Sequence, residues 1–379
     1  MSQRILPGAT LGVLGSGQLG RMFAIAARRL GYRVHVFSPE KDTPTGQVAD
    51  KEVQGAYDDL EAVAAFAKEV DVVTFEFENV DSKTVEAVET HTQVHPAGRI
   101  LHTTQQRLRE KSFLQSIGVP VTPFAAIRTE EDLAQAATTH APGILKTAAW
   151  GYDGKGQAKV KSGADALEAW EQIGRAEAIF EKFVDFQEEL SIVAARGQDG
   201  DVAFYGPIAN LHENHILSIS TCPGGFSEKV AAQARDITRS ILDEFDYVGV
   251  LCVEFFLGRD GGLLVNELAP RPHNSGHLTI DAHRCCQFEQ QVRAITGLPL
   301  GSSRQLEPVA MVNLLGDLWQ VAAPDWASAL GNDDLKLHLY GKCDARPGRK
   351  MGHMSVLANT PETAAKIAAD AHTRLSSNT

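Results

Sequence analysis

Cysteine is scarce in this chain. There are five among 379 residues, Cys222, Cys252, Cys285, Cys286 and Cys343, odd in number and with no C-x-x-C pair. That pattern argues against a disulfide framework and suits a reducing cytosol, so a cytoplasmic location is expected. Long apolar runs are also missing. No stretch reaches the roughly 18 consecutive apolar residues of a membrane span, and no charged-then-apolar leader with a cleavage site opens the sequence, so neither spanning nor export is expected. Positive charge is in deficit, with 36 basic against 48 acidic residues and a formal net charge of −12. A general binder of nucleic acid or anionic membrane is therefore disfavoured, and any local basic cluster has to be read as a site. Internal repeats and low-complexity tracts are absent too.

What is present is a chain that is 43% hydrophobic, ample for buried cores and for two or three domains. Gly151-Tyr152-Asp153-Gly154-Lys155-Gly156-Gln157 follows the apolar run Gly143-Ile144-Leu145-Lys146. Three glycines let a backbone approach an anion closely and aim its N–H groups inward, while Lys146 and Lys155 supply charge; a nucleotide phosphate is the natural guest. Asp-Gly is equally a hairpin signal, so a plain turn stands beside that reading. A second stretch, Val250 to Leu257, Gly258 to Gly262, then Leu263 to Glu267, reads as two apolar strands around a turn. With the turn centred between Asp260 and Gly261, Glu254 and Glu267 would face each other across the ribbon. Like charges at that spacing repel unless a hard cation such as Mg²⁺ sits between them. An exposed acidic hairpin is the alternative.

Taken in order, Thr10 to Leu14 reads as a buried strand, Gly15-x-Gly17-x-x-Gly20 as a turn, and Leu19 to Leu30 as a helix ended by Gly31. The acidic residue that should close the next strand of a dinucleotide fold is late, at Glu40, which weakens a nicotinamide or flavin reading and leaves an anion-binding helix N-terminus. Val70 to Phe75 is another buried strand, carrying Glu76 and Glu78 at its C-terminal end; Glu78 fits equally as a cap for the helix beginning near Asp81. One helix is expected over Gly98 to Ile117, bearing Arg107 and Lys111, and the Pro-rich stretch after Gly118 marks a boundary. From Phe124 to Phe183 strands alternate with one or two helices. Leu190 to Ser220 reads as antiparallel strands with His212 and His215 near their end, too poorly supported by other ligands for zinc. Ser227 to Phe245 is an amphipathic helix. After Glu267, the two prolines of Ala269-Pro-Arg271-Pro-His273-Asn274 stop the strand, and the Arg271 fork suits a planar anion or an ion pair with Glu254 or Glu267. A helix over Thr279 to Thr296 precedes a last unit with strands near Pro308–Leu315, Lys336–Tyr340 and His353–Ala358. Between the last two, Lys342, Arg346, Arg349, Lys350 and nearby His353 form a basic cluster suited to a phosphate monoester, or else a solvated loop.

Lys146, the loop from Gly151 to Gln157, Glu181-Lys182-Phe183-Val184, Glu254 and Asn266-Glu267 together resemble the nucleotide site of the ATP-grasp superfamily. With Gly15 to Met22, Thr74 to Val80, Ala269 to His277 and Arg346 to His353, the resemblance narrows to the enzymes that make 5-(carboxyamino)imidazole ribonucleotide, and it runs from about Leu11 to the C-terminal helix. It implies an α/β fold (α+β overall): an N-terminal doubly wound parallel-sheet domain over 1–118, a small lid subdomain over 119–184, an ATP-grasp core with the metal site over 185–300, and an antiparallel C-terminal part over 301–379. It also implies residue roles. ATP would meet Arg107, Lys146, Gly151, Tyr152, Asp153, Gly154, Lys155, Gly156, Gln157, Glu181, Lys182, Phe183, Val184, Glu189, His212, Asn266 and Glu267. The aminoimidazole ribonucleotide would meet Gln18, Leu19, Glu76, Tyr152, Asp153 and Arg271, with Lys342 and Arg349 on its 5′-phosphate. Lys155, Asp153, Glu76, Arg271, His273 and Asn274 would be catalytic, and Glu254 and Glu267 would bind Mg²⁺. Ser16 stands where that family commonly has glycine, and Asn79 where it has histidine.

The implied reaction is ATP-dependent carboxylation of the exocyclic amine of 5-aminoimidazole ribonucleotide through carboxyphosphate, with bicarbonate as co-substrate, in purine biosynthesis, by a homodimer. Asp153 and Glu76 are both candidates to orient the amine and take its proton. A nicotinamide-dependent reductase and a nucleotide-gated binding protein without turnover are the competing classes; neither needs two opposed carboxylates beside a lysine-bearing loop.

Overall fold

The computed structural model describes residues 4–149, 156–320 and 322–375. Three sheets organise them. In the first, β1 (Thr10–Leu14), β2 (Arg33–Ser38), β3 (Lys51–Gln54), β4 (Val72–Phe75) and β5 (Gln93–Val94) run parallel in the order β3-β2-β1-β4-β5. Leu11, Val13, Val72 and Val73 are fully buried, as strands covered on both faces by helices must be. The helix Gln18–Arg29 ends at Gly31, whose φ of +86° is the left-handed stop expected of that residue.

The second sheet is antiparallel, with β6 (Phe124–Ile127), β7 (Gly143–Thr147), β8 (Gln157–Val160) and β9 (Ala178–Lys182) in the order β6-β9-β7-β8. The third has eight strands: β10 (Phe186–Arg196), β11 (Val202–Glu213), β12 (Ile216–Cys222), β13 (Gly249–Gly258), β14 (Leu263–Ala269), β15 (Val309–Leu315), β16 (Leu335–Leu339) and β17 (Lys350–Leu357). Their order is β14-β13-β10-β11-β12-β15-β17-β16. The last three strands extend the core sheet through β12–β15 pairing, Ile219 opposite Val312 to Cys222 opposite Val309, and do not form a sheet of their own. No helix among the described residues is long and apolar enough to cross a membrane.

Two helices expected to be continuous are broken. Gly98–Thr104 and Arg107–Ser116 are separate, because the Gln105 amide donates to the carbonyls of Glu78 and Val80 (2.6 Å each) and the Gln106 side chain caps the second helix at Arg109 N–H. The break sets Arg107 on a first turn, with its own N–H on Ala148 O (2.8 Å). Likewise Thr279 to Thr296 divides into Thr279–Ala282 and Gln287–Ile295, interrupted where His283 bridges Gln305 and resumed at Cys286, whose thiol caps Glu289 N–H.

Candidate active site

The hairpin β13–β14 carries the acidic pair. Leu257 faces Leu263, Phe256 faces Leu264 and Phe255 faces Val265, which centres the turn on Asp260; on that count Glu254 would oppose Asn266. It opposes Glu267 instead, because a bulge between Val265 and Glu267 inserts one residue. The expected facing pair is therefore present, but by a bulge and not by the expected turn. What holds the bulge is Lys111, a side chain only 2% exposed, whose ammonium donates to Val265 O (3.0 Å) and Asn266 O (2.8 Å). Glu110 beside it accepts from Leu268 N–H (3.3 Å).

Lys111 also pairs with Glu181 (3.4 Å), and the other oxygen of Glu181 takes Lys146 (2.5 Å). One carboxylate thus ties a lysine of the second sheet to the bulge of the third. Burial alone would raise the Glu181 carboxyl, but the two ammoniums hold it down at about 2. Arg107 donates to Thr147 O (3.2 Å), and its charge, with that of Lys146, acts on Glu267. Glu267 stays open to solvent within a cleft. The cleft walls raise its carboxyl, Arg107 opposes that rise, and the nearby Glu254 and Glu78 reinforce it. Two mutually repelling carboxylates, Glu267 open to solvent and Glu254 half-buried, fringed by two cations, are a donor set that could hold a hard divalent ion.

Glu254 is paired differently. His273 Nε2 lies 2.9 Å from its Oε1, and although burial opposes charge on both groups, the ion pair holds Glu254 at about 2 and, together with Cys252, raises His273 to about 10. The His273 Nδ1 contacts Ser275 Oγ (2.9 Å), which meets Ser191 Oγ (2.8 Å), and Asn210 Nδ2 donates to that same hydroxyl (3.0 Å). Asn274 is buried with both amide atoms unpartnered. Arg271 pairs with Glu78 (2.6 Å), not with Glu254 or Glu267, and Asp81, not Glu78, caps the helix Ser82–Glu89. Glu78 is therefore an orienting partner of the arginine.

The glycine turn holds a carboxylate of the chain itself. Gly17 N–H donates to Glu76 Oε1 (2.7 Å) and Gly20 N–H to Oε2 (3.4 Å). A Cβ at Gly17 would lie 2.9 Å from both oxygens. The helix N-terminus thus serves Glu76 and is not an open anion site, which removes the support for a dinucleotide there. Burial raises the Glu76 carboxyl, while those N–H groups, Arg271 and Lys342 oppose the rise. Gln18 is half-buried nearby; Leu19 is a core side chain, so only its main chain can meet a ligand.

Lys342 Nζ donates to Lys350 O (2.7 Å), and Arg349 to Asp344 O (2.7 Å); Gly341 O accepts from Gln47 of the first domain (2.9 Å). Lys342 and Arg349 stay half-buried, whereas Arg346 is exposed and paired with Asp344 (2.8 Å). His353 is not part of the basic cluster. It is fully buried, bonded to Tyr340 OH (2.9 Å) and stacked on His338, and burial lowers it well below the usual histidine range.

At the far end, Glu189 pairs with His212, whose charge is favoured by Glu189 and Glu254 against the effect of burial, while His215 sits exposed in the β11–β12 turn. Phe183 is exposed and Lys182 points outward, leaving main chain at Lys182 to Val184 along the strand exit. Gly156 (φ +70°) accepts Thr147 N–H at its carbonyl (2.8 Å), and Lys146 faces Gln157, so the loop between them springs from a hairpin root. Gly151, Tyr152, Asp153, Gly154 and Lys155 lie outside the described residues. The roles of Lys111, Glu110, Glu78 and the serine chain were missed by sequence reasoning, since their partners are remote along the chain.

Comparison with known proteins follows the same layout. Family models match as the ribonucleotide synthetase preATP-grasp domain (residues 8–105), the ATP-grasp domain (112–288) and the phosphoribosylaminoimidazole carboxylase C-terminal domain (309–367). The N5-carboxyaminoimidazole ribonucleotide synthase of Bacillus subtilis is 42% identical over 359 residues, 94% of each chain. A crystal structure of an N5-carboxyaminoimidazole ribonucleotide synthetase with ADP superimposes with a TM-score of 0.92 at 41% identity, covering 98% of each chain. That of the Aspergillus clavatus enzyme with ADP and 5-aminoimidazole ribonucleotide gives 0.87 at 32% identity, covering 97% of this chain and 99% of that one.

Proposed function

Since this chain belongs to the N5-carboxyaminoimidazole ribonucleotide synthase family of ATP-grasp ligases, we propose that the cleft described above joins ATP, bicarbonate and 5-aminoimidazole ribonucleotide in a single closed site. The chain is an ATP-dependent ligase of purine biosynthesis that carboxylates the aminoimidazole ribonucleotide at its amine. The observation that carries our reading of the site is the bulged register that sets Glu254 against Glu267 beside Arg107 and Lys146.

Glu254 and Glu267 would hold Mg²⁺, which when bound supplies the positive charge that offsets the phosphates of ATP. Lys146, Arg107 and Lys155 neutralise charge building on the transferred phosphoryl group, and the remaining residues of 151–157 are assigned to the phosphates of ATP. The main chain at Glu181 to Val184 faces adenine, and Glu189 and His212 face the ribose. Glu181 itself acts by holding two lysines and not as a free acceptor. Arg271, oriented by Glu78, offers a fork to bicarbonate and then to carboxyphosphate, with His273 and Asn274 as further donors. Glu76 holds the substrate amine. Its carboxyl, raised by burial, suits it to take the amine proton; Asp153 is the other candidate. Lys342 and Arg349 hold the 5′-phosphate. We assign the four units 1–118, 119–184, 185–300 and 301–379 to these tasks, and place a homodimer in the cytoplasm. Release of ADP, followed with bicarbonate and the aminoimidazole substrate each omitted, tests the assignment: full release without either one would overturn it.

A further inference from the structure

One side chain beside the acidic pair has no part in the ligase reaction. Cys252 precedes Glu254 by two residues on β13 and so projects to the same face. It is fully buried. Its sulfur, a Glu254 oxygen and a His273 ring nitrogen all lie within 4.8 Å of one another. A thiol, a carboxylate and an imidazole converging from a strand and the adjoining loop are the donor set of zinc, cobalt and related borderline metals, and a thiolate adds nothing for Mg²⁺. Four-coordinate zinc places its ligand atoms about 3.3–3.8 Å apart, by the bond lengths of about 2.0–2.3 Å usual for N, O and S donors. The His273–Glu254 contact of 2.9 Å would need to open by less than 1 Å, roughly, for an ion to replace the shared proton.

We propose that Cys252, Glu254 and His273 form a second metal site, selective for Zn²⁺ or Co²⁺ over Mg²⁺, whose occupation takes Glu254 from the Mg²⁺ site it would share with Glu267 and shuts the ligase down. His273 is the pivot. Ser275, itself bonded to Ser191, holds its other nitrogen, which fixes the ring with Nε2 toward Glu254. The fourth position would fall to water or a substrate oxygen, making the site an open one. The inhibition rests on the reading of Glu254 as a Mg²⁺ ligand, but the site itself does not.

The two are separated by measuring binding and turnover independently. Metal-stripped full-length protein titrated with Co²⁺ should develop the near-ultraviolet thiolate-to-cobalt band at one equivalent, and Cys252→Ser and Cys252→Ala should lack it. Zn²⁺ should suppress Mg²⁺-supported ADP release in the native chain, with at least a tenfold loss of that sensitivity in both variants. Their Mg²⁺-supported release also reports that they fold. A wild-type titration without the sulfur band, or one the Cys252 variants reproduce, overturns the site. A Cys252-dependent band with no effect of Zn²⁺ on turnover overturns the inhibition and points to a fault in the Mg²⁺ reading.

Discussion

Lys111→Met is the substitution that asks most of this structure. Methionine nearly conserves the volume of a side chain that is 2% exposed, so the change isolates the ammonium. It strands two carbonyls, Val265 O and Asn266 O, and leaves Glu181 with Lys146 alone. Two buried acceptors left unpaired cost about 1–3 kcal/mol each, and breaking a buried ion pair about 3–5 kcal/mol. Glu181 keeps its shorter partner, and the cost of burying Lys111 itself is relieved, so the net loss should be about 3–5 kcal/mol, a large part of the roughly 5–15 kcal/mol of a typical domain. Urea unfolding should show it as a lowered midpoint at unchanged slope. The bulge should relax as well, so that the Mg²⁺ concentration for half-maximal ADP release rises about tenfold, the equivalent of about 1.4 kcal/mol. A variant within about 1 kcal/mol of the native chain and with the same Mg²⁺ dependence would refute the claim that Lys111 sets the register.

Three further outcomes follow from the same contacts. Glu267→Gln should cut ADP release by roughly a hundredfold or more while leaving urea stability the same or higher, because it removes a repulsion; rapid-quench assays at saturating Mg²⁺ check this. Glu181 is depressed from 4.5 to about 2. Its contribution is therefore complete above pH 4.5 or so and is lost as pH falls toward 2, amounting to at most about 3 kcal/mol, and Glu181→Gln should flatten the stability curve in that window alone. Gly17→Ala sets a methyl 2.9 Å from both Glu76 oxygens, so the KM for the aminoimidazole substrate should rise about tenfold with the KM for ATP unmoved.

The parts legible from sequence were those whose evidence is local. Alternation and glycine spacing revealed β1, the turn after it and the helix Gln18–Arg29, and the apolar run before Lys146 marked β7, because neighbouring residues decide such elements. The facing glutamates were also expected, but from a turn centred between Asp260 and Gly261; the turn forms on Asp260, which without a bulge would have set Glu254 opposite Asn266. The bulge depends on Lys111, 154 residues away from Val265, and periodicity carries no trace of such a partner. The two broken helices failed for the same reason, since Gln105 and His283 are drawn out of helical geometry by Glu78, Val80 and Gln305. Charge was misjudged where burial decides it. His353 counted as basic in the sequence is neutral in a closed core, and Glu78 looked like a cap until Arg271 came to it through the fold.

The seam between β12 and β15 bears on how this protein could be shortened. Matches to known families end one region at 288 and start the next at 309, inviting a cut between them. A protein ending there would present β12 as a bare margin, its row of N–H and C=O groups from Ile219 to Cys222 unanswered and ready to recruit strands from other copies. The nucleotide-handling portion is thus expected to precipitate when expressed without its tail, however complete its own catalytic side chains are.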